Sequence, residues 1–468
     1  MRYISTRGEA PVLGFEQVLL AGLARDGGLY LPEAWPQFSA EEIRALRGLS
    51  YADLVVRIAR PFVGEEIDEA ALQAMVESSY AGFDHAAVAP LKQLGPKLWL
   101  MELFHGPTLA FKDYPLQVVG QLFDHVLTAR GGHVTIVGAT SGDTGSAAIE
   151  GCRGRASIDV FIMYPEGRVS EVQRRQMTTV IEPNVHNLAI AGSFDDCQDM
   201  VKALFKDEGF RDEASLSAVN SINWARIMVQ VAYYFHAALA LGAPERPVAF
   251  SVPTGNFGNV FAGYVAMQMG LPIAKLIVGS NRNDILARFF ESGAMAIETV
   301  EPSLSPSMDI QVSSNFERLL FELLGRDGAA VAQTLSGFRE TGRFTVEPAV
   351  LEKALAIFEG HRCSDEESLA EVARVHRETG EVVEPHSAIG IAAARAALDS
   401  LDVPVVAVAT AHPAKFPDAV ERALGLRPAL PARVGDLYER EERVTPLPND
   451  LSAVRAHIRE RLRVPGAA

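Results

Sequence analysis

The sequence predicts an α/β protein built on parallel sheets with helices on both faces, and three observations predict it. From Lys97 onward, short apolar or β-branched runs alternate with helical spacings, the order that builds parallel strands joined by crossover helices. Three of those strands end in turns rich in Gly, Thr, Ser or Asn that open a helix, at residues 137–148, 252–259 and 407–416. Composition agrees, since 468 residues with 48% hydrophobic and 22% charged side chains describe a globular chain of two or three domains.

The elements follow in order. The first eighty or so residues read as helices and loops. Gly27-Gly28-Leu29-Tyr30-Leu31-Pro32 is a turn and short strand, and residues 40–47 and 66–79 have helical spacing. Residues 98–103 suit a strand and 113–129 a helix. A strand at 133–137, a Gly/Thr/Ser turn and a helix through 145–150 come next, then an apolar strand at 157–163. Residues 227–244 read as a buried helix holding Gln230 and His236. The runs 248–252 and 404–409 are β-branched strands, and 260–269 is helical. The tail after Pro446 is charged and helical, and is expected at the periphery. The expected division is a mainly helical region at 1–85, a smaller αβα domain at 86–220 and a larger αβα domain at 221–468.

Charge and cysteine usage exclude several classes. With 59 acidic against 43 basic residues and a net charge of −16, and with no long basic run, nucleic acid is not an expected partner. An anionic ligand needs local positive charge or backbone donors to bind against that background. Cys152, Cys197 and Cys363 stand far apart and share no metal-ligand spacing, which fits a reducing compartment and no metal. Residues 247–274 carry no charge, yet Pro253, Asn256, Asn259 and Pro272 make a strand, turn and helix a better reading than a membrane span. The N-terminus has acids at Glu9 and Glu16 and no apolar signal core, so the expected location is cytoplasmic.

Lys112 is the chemical focus. It sits at a strand-to-helix junction, Phe104-His105-Gly106-Pro107-Thr108-Leu109-Ala110-Phe111-Lys112-Asp113-Tyr114-Pro115. A cation at a helix start opposes the helix dipole by about 0.3–1 kcal/mol. Beside Leu109, Ala110 and Phe111 an ammonium is poorly solvated, so its pKa falls. The free amine is the form that makes Schiff bases. The alternative is a surface lysine whose stem lies on apolar neighbours.

Three turns surround this reading. At residues 137–148, two glycines permit close backbone approach, and Thr140, Ser141 and Thr144 offer hydroxyls beside helix N–H groups, an arrangement suited to a carboxylate or phosphate. An ordinary capped turn is the alternative there. At residues 252–259, Gly255-Asn256-Phe257-Gly258-Asn259 opens a helix whose N–H groups suit a phosphate dianion. At residues 407–416, Thr410 ends a buried strand, Lys415 is a rival Schiff-base lysine, and His412 reads as a satisfied polar residue near a turn. No G-x-G-x-x-G or G-x-x-x-x-G-K-[ST] signature is present, which disfavours a nicotinamide dehydrogenase. A reactive lysine, an anion loop and a short side chain for a ring nitrogen together suit a pyridoxal-phosphate site.

These motifs, in this order, resemble threonine synthase. His105-Gly106-Pro107-Thr108 through Phe111-Lys112-Asp113, then Ser141-Gly142-Asp143-Thr144-Gly145, Gly255–Asn259 and residues 410–416 match its longer bacterial and fungal branch, as do Tyr3-Ile4-Ser5-Thr6-Arg7-Gly8 and Asp26-Gly27-Gly28-Leu29. The resemblance covers nearly the whole chain. It implies the type II pyridoxal-phosphate fold (tryptophan synthase β-like) and a lyase converting O-phospho-L-homoserine and water to L-threonine and phosphate. It further implies that Lys112 carries pyridoxal 5′-phosphate, that Gly255, Asn256, Phe257, Gly258 and Asn259 hold its phosphate, and that Thr410 meets the pyridine nitrogen. Asp143 stands where related enzymes set an Asn against the ring hydroxyl.

For the substrate phosphate the candidates are Thr140 and Ser141 on the first loop, and Arg226, which begins an apolar helix and offers a guanidinium fork. A structural ion pair is the alternative for Arg226. Two rivals remain: a serine/threonine dehydratase or β-replacing synthase of the same fold, and a catalytically silent phosphometabolite-binding homologue. The expected state is a monomer or homodimer with no membrane or nucleic-acid partner.

Overall fold

The structure, a computed structural model, describes residues 1–463. Its larger sheet has six strands in the order Phe358–Arg362, Ile273–Ser280, Val248–Pro253, Val405–Ala409, Leu98–Glu102 and Leu91–Gln93. The first five run parallel and Leu91–Gln93 closes the edge antiparallel. Every residue of Val248–Pro253 and Val405–Ala409 is buried, as central strands covered by helices on both faces must be. The second sheet has five parallel strands, Thr445–Pro448, Val185–Ala191, Ile158–Pro165, Val134–Ala139 and Leu216–Ser217. The fold is the expected type II α/β architecture.

The sheets do not divide the chain at residues 86 and 221. Leu91–Gln93 and Leu98–Glu102, expected in the smaller domain, belong to the larger sheet. The tail, expected to be peripheral, supplies the edge strand Thr445–Pro448 and the Leu451–Arg459 helix, whose Val454 and Ile458 are fully buried on the smaller sheet. A parallel strand is always reached by a crossover, so the chain can leave one sheet and return to it hundreds of residues later. Pro446 and Pro448 suit that edge, where a missing N–H leaves no ladder bond unmade.

The N-terminal region contains Phe15–Ala21 and Tyr51–Val63 besides the expected helices, observed at Ala40–Ala45 and Glu69–Tyr80. Ser39, Ser50 and Asp68 cap the last three through side-chain oxygens. Tyr51 and Tyr80 pack on Tyr114, with ring centroids 6.0 and 6.4 Å away, and the Tyr80 hydroxyl donates to the Tyr114 carbonyl at 2.9 Å. This region therefore braces the first turn of the Asp113–Arg130 helix, which Lys112 opens.

That helix crosses the Asp143–Cys152 helix backbone against backbone. A Cβ on Gly120 would lie 1.9 Å from the Gly151 carbonyl oxygen, and one on Gly151 would lie 2.4 Å from that of Leu116. The close approach sets Lys112 and Asp143, at the two helix starts, within reach of each other. Gly120→Ala is expected to cost roughly 1–3 kcal/mol of stability through overpacking. Chemical denaturation measures it, and an unchanged midpoint would mean that the helices have room to part.

Candidate active site

Three neighbouring strands of the larger sheet deliver their carboxyl ends to one place: Leu98–Glu102 leads to the lysine segment, Val405–Ala409 to Thr410, and Val248–Pro253 to residues 254–259. The first two segments are tied together. Phe111 N–H donates to the Thr410 carbonyl at 2.8 Å, His412 N–H donates to the Leu109 carbonyl at 3.0 Å, and Ala110 and Ala411 form an isolated antiparallel bridge. From the smaller sheet, Val134–Ala139 delivers the turn that ends at Asp143.

Lys112 is buried, with its Nζ 3.4 Å from Asp143 Oδ2 and 5.1 Å from the Phe111 ring centre. Burial is the largest influence on its amine and draws the pKa below the usual lysine range; Asp143 opposes this, while Lys415 and Arg226 add to it. Lys415 is placed differently. Fully buried, it donates to the Thr108 carbonyl at 2.6 Å and pairs with Asp143 Oδ1 at 2.9 Å. Gln173 Nε2 donates to the same oxygen at 2.9 Å. To reach it, the Gln173 amide lies over Gly142, whose φ of +140° and absent Cβ leave the room required. Burial alone would raise the Asp143 carboxyl, but Lys415 and then Lys112 outweigh it and hold the pKa far below the carboxylate range.

The neighbouring carboxylate, Asp113, is turned away from this cluster. It accepts from the Thr108 backbone N–H at 2.8 Å and the Thr108 hydroxyl at 2.6 Å, shaping the loop ahead of the lysine. Burial pushes its carboxyl up to about 6 against those two bonds.

In the 254–259 loop, Phe257 adopts a left-handed φ of +63°, a strained choice for a residue with a Cβ. Its ring, packed on Phe316 and Phe358, holds it there. The segment after residue 306 supports the loop from outside: Ser313 hydroxyl donates to the Gly255 carbonyl at 2.7 Å, and Asn315 N–H donates to the Asn256 carbonyl at 3.1 Å. The helix Gly258–Gln268 starts here with no side-chain cap. Asn259 accepts from the Tyr233 and Tyr234 hydroxyls at 2.6 and 2.8 Å, which leaves its buried Nδ2 donor without a protein partner. An uncapped helix start and an unpartnered amide donor are features suited to an anion.

Arg226 lies in the buried helix Trp224–Ala240. Its Nη1 donates to the Val219 carbonyl at 3.3 Å, and its Nε has no partner. No carboxylate pairs with it among the described residues, so the structural ion pair weighed for it is not found. Burial draws its pKa down to about 10, which leaves it charged at neutral pH.

The remaining expected residues fall as follows. Thr140 is buried, and its hydroxyl oxygen accepts from Gly142 and Gly145 N–H at 3.0 and 2.9 Å, so it holds the turn together; Ser141 beside it is half-buried. Thr410 is buried at its strand end. His412, read as a satisfied polar residue near a turn, accepts from Ala414 N–H at 3.1 Å, and burial takes its imidazole down to about 4. Sequence reasoning overlooks Gln173 and a group behind Thr410. There the fully buried Glu384 accepts from the Ser387 hydroxyl at 2.6 Å, and Ser387 Oγ accepts from Thr410 N–H at 3.2 Å. Glu384-Pro385 is legible as a helix start, since Glu384 takes the cap position and Pro385 the first turn.

Comparison with known proteins gives the family. Residues 2–80 match the family model Threonine synthase N terminus, 85–336 match Pyridoxal-phosphate dependent enzyme, and 387–458 match Threonine synthase, C-terminal. The threonine synthase of Pseudomonas aeruginosa is 60% identical over 459 residues, covering 98% of each chain. Among solved structures, PLP-bound threonine synthase from Brucella melitensis superposes with a TM-score of 0.96 at 55% identity, covering 99% of this chain and 100% of that one. Threonine synthase from yeast gives 0.94 at 39% identity over 98% of each. Fold and site thus define a type II pyridoxal-phosphate enzyme. A buried amine with a single hydrogen bond, together with an uncapped helix start and an amide donor left without a partner among the described residues, fits that cofactor's aldehyde and phosphate. Within the class, the chain belongs to the threonine synthase family.

Proposed function

We propose that this site takes O-phospho-L-homoserine and water to L-threonine and inorganic phosphate, with Lys112 carrying the cofactor and acting as the mobile base. The observation that carries the reading is the contrast between two buried lysines on one carboxylate. Lys415 is held by two short contacts, whereas Lys112 has a single long one and a depressed pKa. Loose tethering and a lowered pKa are what a base that must give and take several protons needs.

The bound cofactor supplies delocalisation of the negative charge left when a proton is removed beside its attachment point. Backbone N–H groups of Gly255, Asn256, Phe257, Gly258 and Asn259, with the Asn259 amide, would hold the cofactor phosphate, and Thr410 would serve its ring nitrogen. Asp143 holds Lys112 at its resting position. The neutral Lys112 amine would remove the substrate's Cα proton, pass it on, and then remove a proton from Cβ as phosphate leaves from Cγ; protons returned to Cγ and Cα and the hydroxyl of water added at Cβ complete L-threonine, and the remaining water proton goes with the phosphate. Arg226, with Thr140 and Ser141, would receive that phosphate. Buried free thiols suit a reducing, cytoplasmic setting, and among the described residues no helix is long and apolar enough to cross a membrane.

Equal amounts of phosphate and threonine are expected from O-phospho-L-homoserine, with no turnover of homoserine, serine or threonine. Faster deamination of serine or threonine would replace this reading with the dehydratase, and no turnover of any of them would leave the silent homologue.

A further inference from the structure

The proposed reaction leaves Lys415 without a task, although it is fully buried at the centre of the site. We infer that Lys415 is the permanent counter-ion of Asp143, and that its charge allows Lys112 to give up a proton without stranding a bare carboxylate in the protein interior. The inference rests on Lys112 carrying the cofactor, as proposed above.

The geometry separates the two lysines by role. They approach opposite oxygens of one carboxylate, Lys415 at 2.9 Å from Oδ1 and Lys112 at 3.4 Å from Oδ2. The second contact of Lys415, 2.6 Å to the Thr108 carbonyl, leaves its fully buried ammonium with two acceptors. That arrangement keeps the charge where it is. Lys112 has no second acceptor among the described residues and is the more loosely held of the two.

The charges around Lys112 come from every side. Asp143 reaches it from the Asp143–Cys152 helix, Lys415 from the turn after Val405–Ala409, and Arg226 from the Trp224–Ala240 helix. Asp113, next in its own chain, is committed to Thr108. Asp143 is therefore the one carboxylate that contacts Lys112 among the described residues. With Lys112 as its sole partner, Asp143 would hold the amine's proton, because a buried pair resists losing one member. With Lys415 present, deprotonated Lys112 leaves behind a neutral, hydrogen-bonded pair. A Lys415 that pinned the Thr108 carbonyl without bringing charge to Asp143 would leave the titration of Lys112 unchanged.

The test compares holoenzymes of the native chain, K415M, D143N and D143N/K415M by pH titration of the bound cofactor's visible absorbance and by the pH profile of kcat. In K415M both midpoints are expected to rise by about one unit or more, so that turnover near neutrality falls and returns at higher pH. D143N/K415M, which loses both charges, is expected to move back toward the native midpoint. Should K415M fail to fold, D143N and D143N/K415M carry the comparison, and removal of Lys415 must still raise the midpoint. An unshifted midpoint in the usable pair, with altered stability alone, overturns the inference.

Discussion

Lys112→Ala is expected to lower turnover by roughly 10⁴-fold or more, the range lost when a base that is also a covalent attachment point is removed. The protein should still fold, because this lysine makes one long contact and its burial opposes its own charge. Borohydride reduction of the native enzyme followed by peptide mapping is expected to place the phosphopyridoxyl group on Lys112. Lys415 is the competing position, since it shares Asp143. Its ammonium, however, is engaged by the Thr108 carbonyl and the carboxylate together. An adduct at Lys415, or substantial turnover in Lys112→Ala, would reverse the two roles and remove the basis for the counter-ion argument as well.

Arg226→Ala is expected to raise the Michaelis constant for O-phospho-L-homoserine by roughly 10–100-fold while changing kcat less, the loss of one strong charge-assisted contact at about 1.4 kcal/mol per tenfold. A structural guanidinium would behave otherwise. Arg318, also fully buried, shows the contrast: it donates to the Tyr30 carbonyl at 2.8 Å, to the Ile222 carbonyl at 2.7 Å and to the Asn315 side chain. Arg226 has one backbone acceptor at 3.3 Å and an unpartnered Nε. A buried cation so poorly paired destabilises the resting protein and waits for an anion. Arg226→Met, which keeps the volume and removes the charge, is therefore expected to leave the denaturation midpoint unchanged or raised while binding weakens. A lowered midpoint with an unchanged Michaelis constant would return Arg226 to the scaffold.

The parts of the site legible from sequence are the local ones. Gly255-Asn256-Phe257-Gly258-Asn259 and the turn before Asp143 are read from short runs, because glycine and amide residues after an apolar strand specify a turn and a helix start within a few positions. The apolar flank of Lys112 is likewise a property of its immediate neighbours, and it correctly indicates a depressed pKa. The domain limits are less legible. The apolar run identifies the strand Leu98–Glu102 but nothing in the charged tail identifies Thr445–Pro448, and neither pattern says which sheet the strand will join.

By itself, the sequence determined that this is a parallel α/β protein with a desolvated lysine at a helix start, a phosphate-type loop and a motif order that identifies its family. Only the tertiary structure decided which lysine is loosely held and which is fixed, that Arg226 is buried without a carboxylate partner among the described residues, and that Gln173, Glu384 and Ser387 lie beside the residues read from sequence. The physical reason is separation along the chain. Asp143 meets Gln173 across 30 residues, and Thr108 meets Lys415 across 307, so the charge balance that sets each group's chemistry exists only after both sheets have formed.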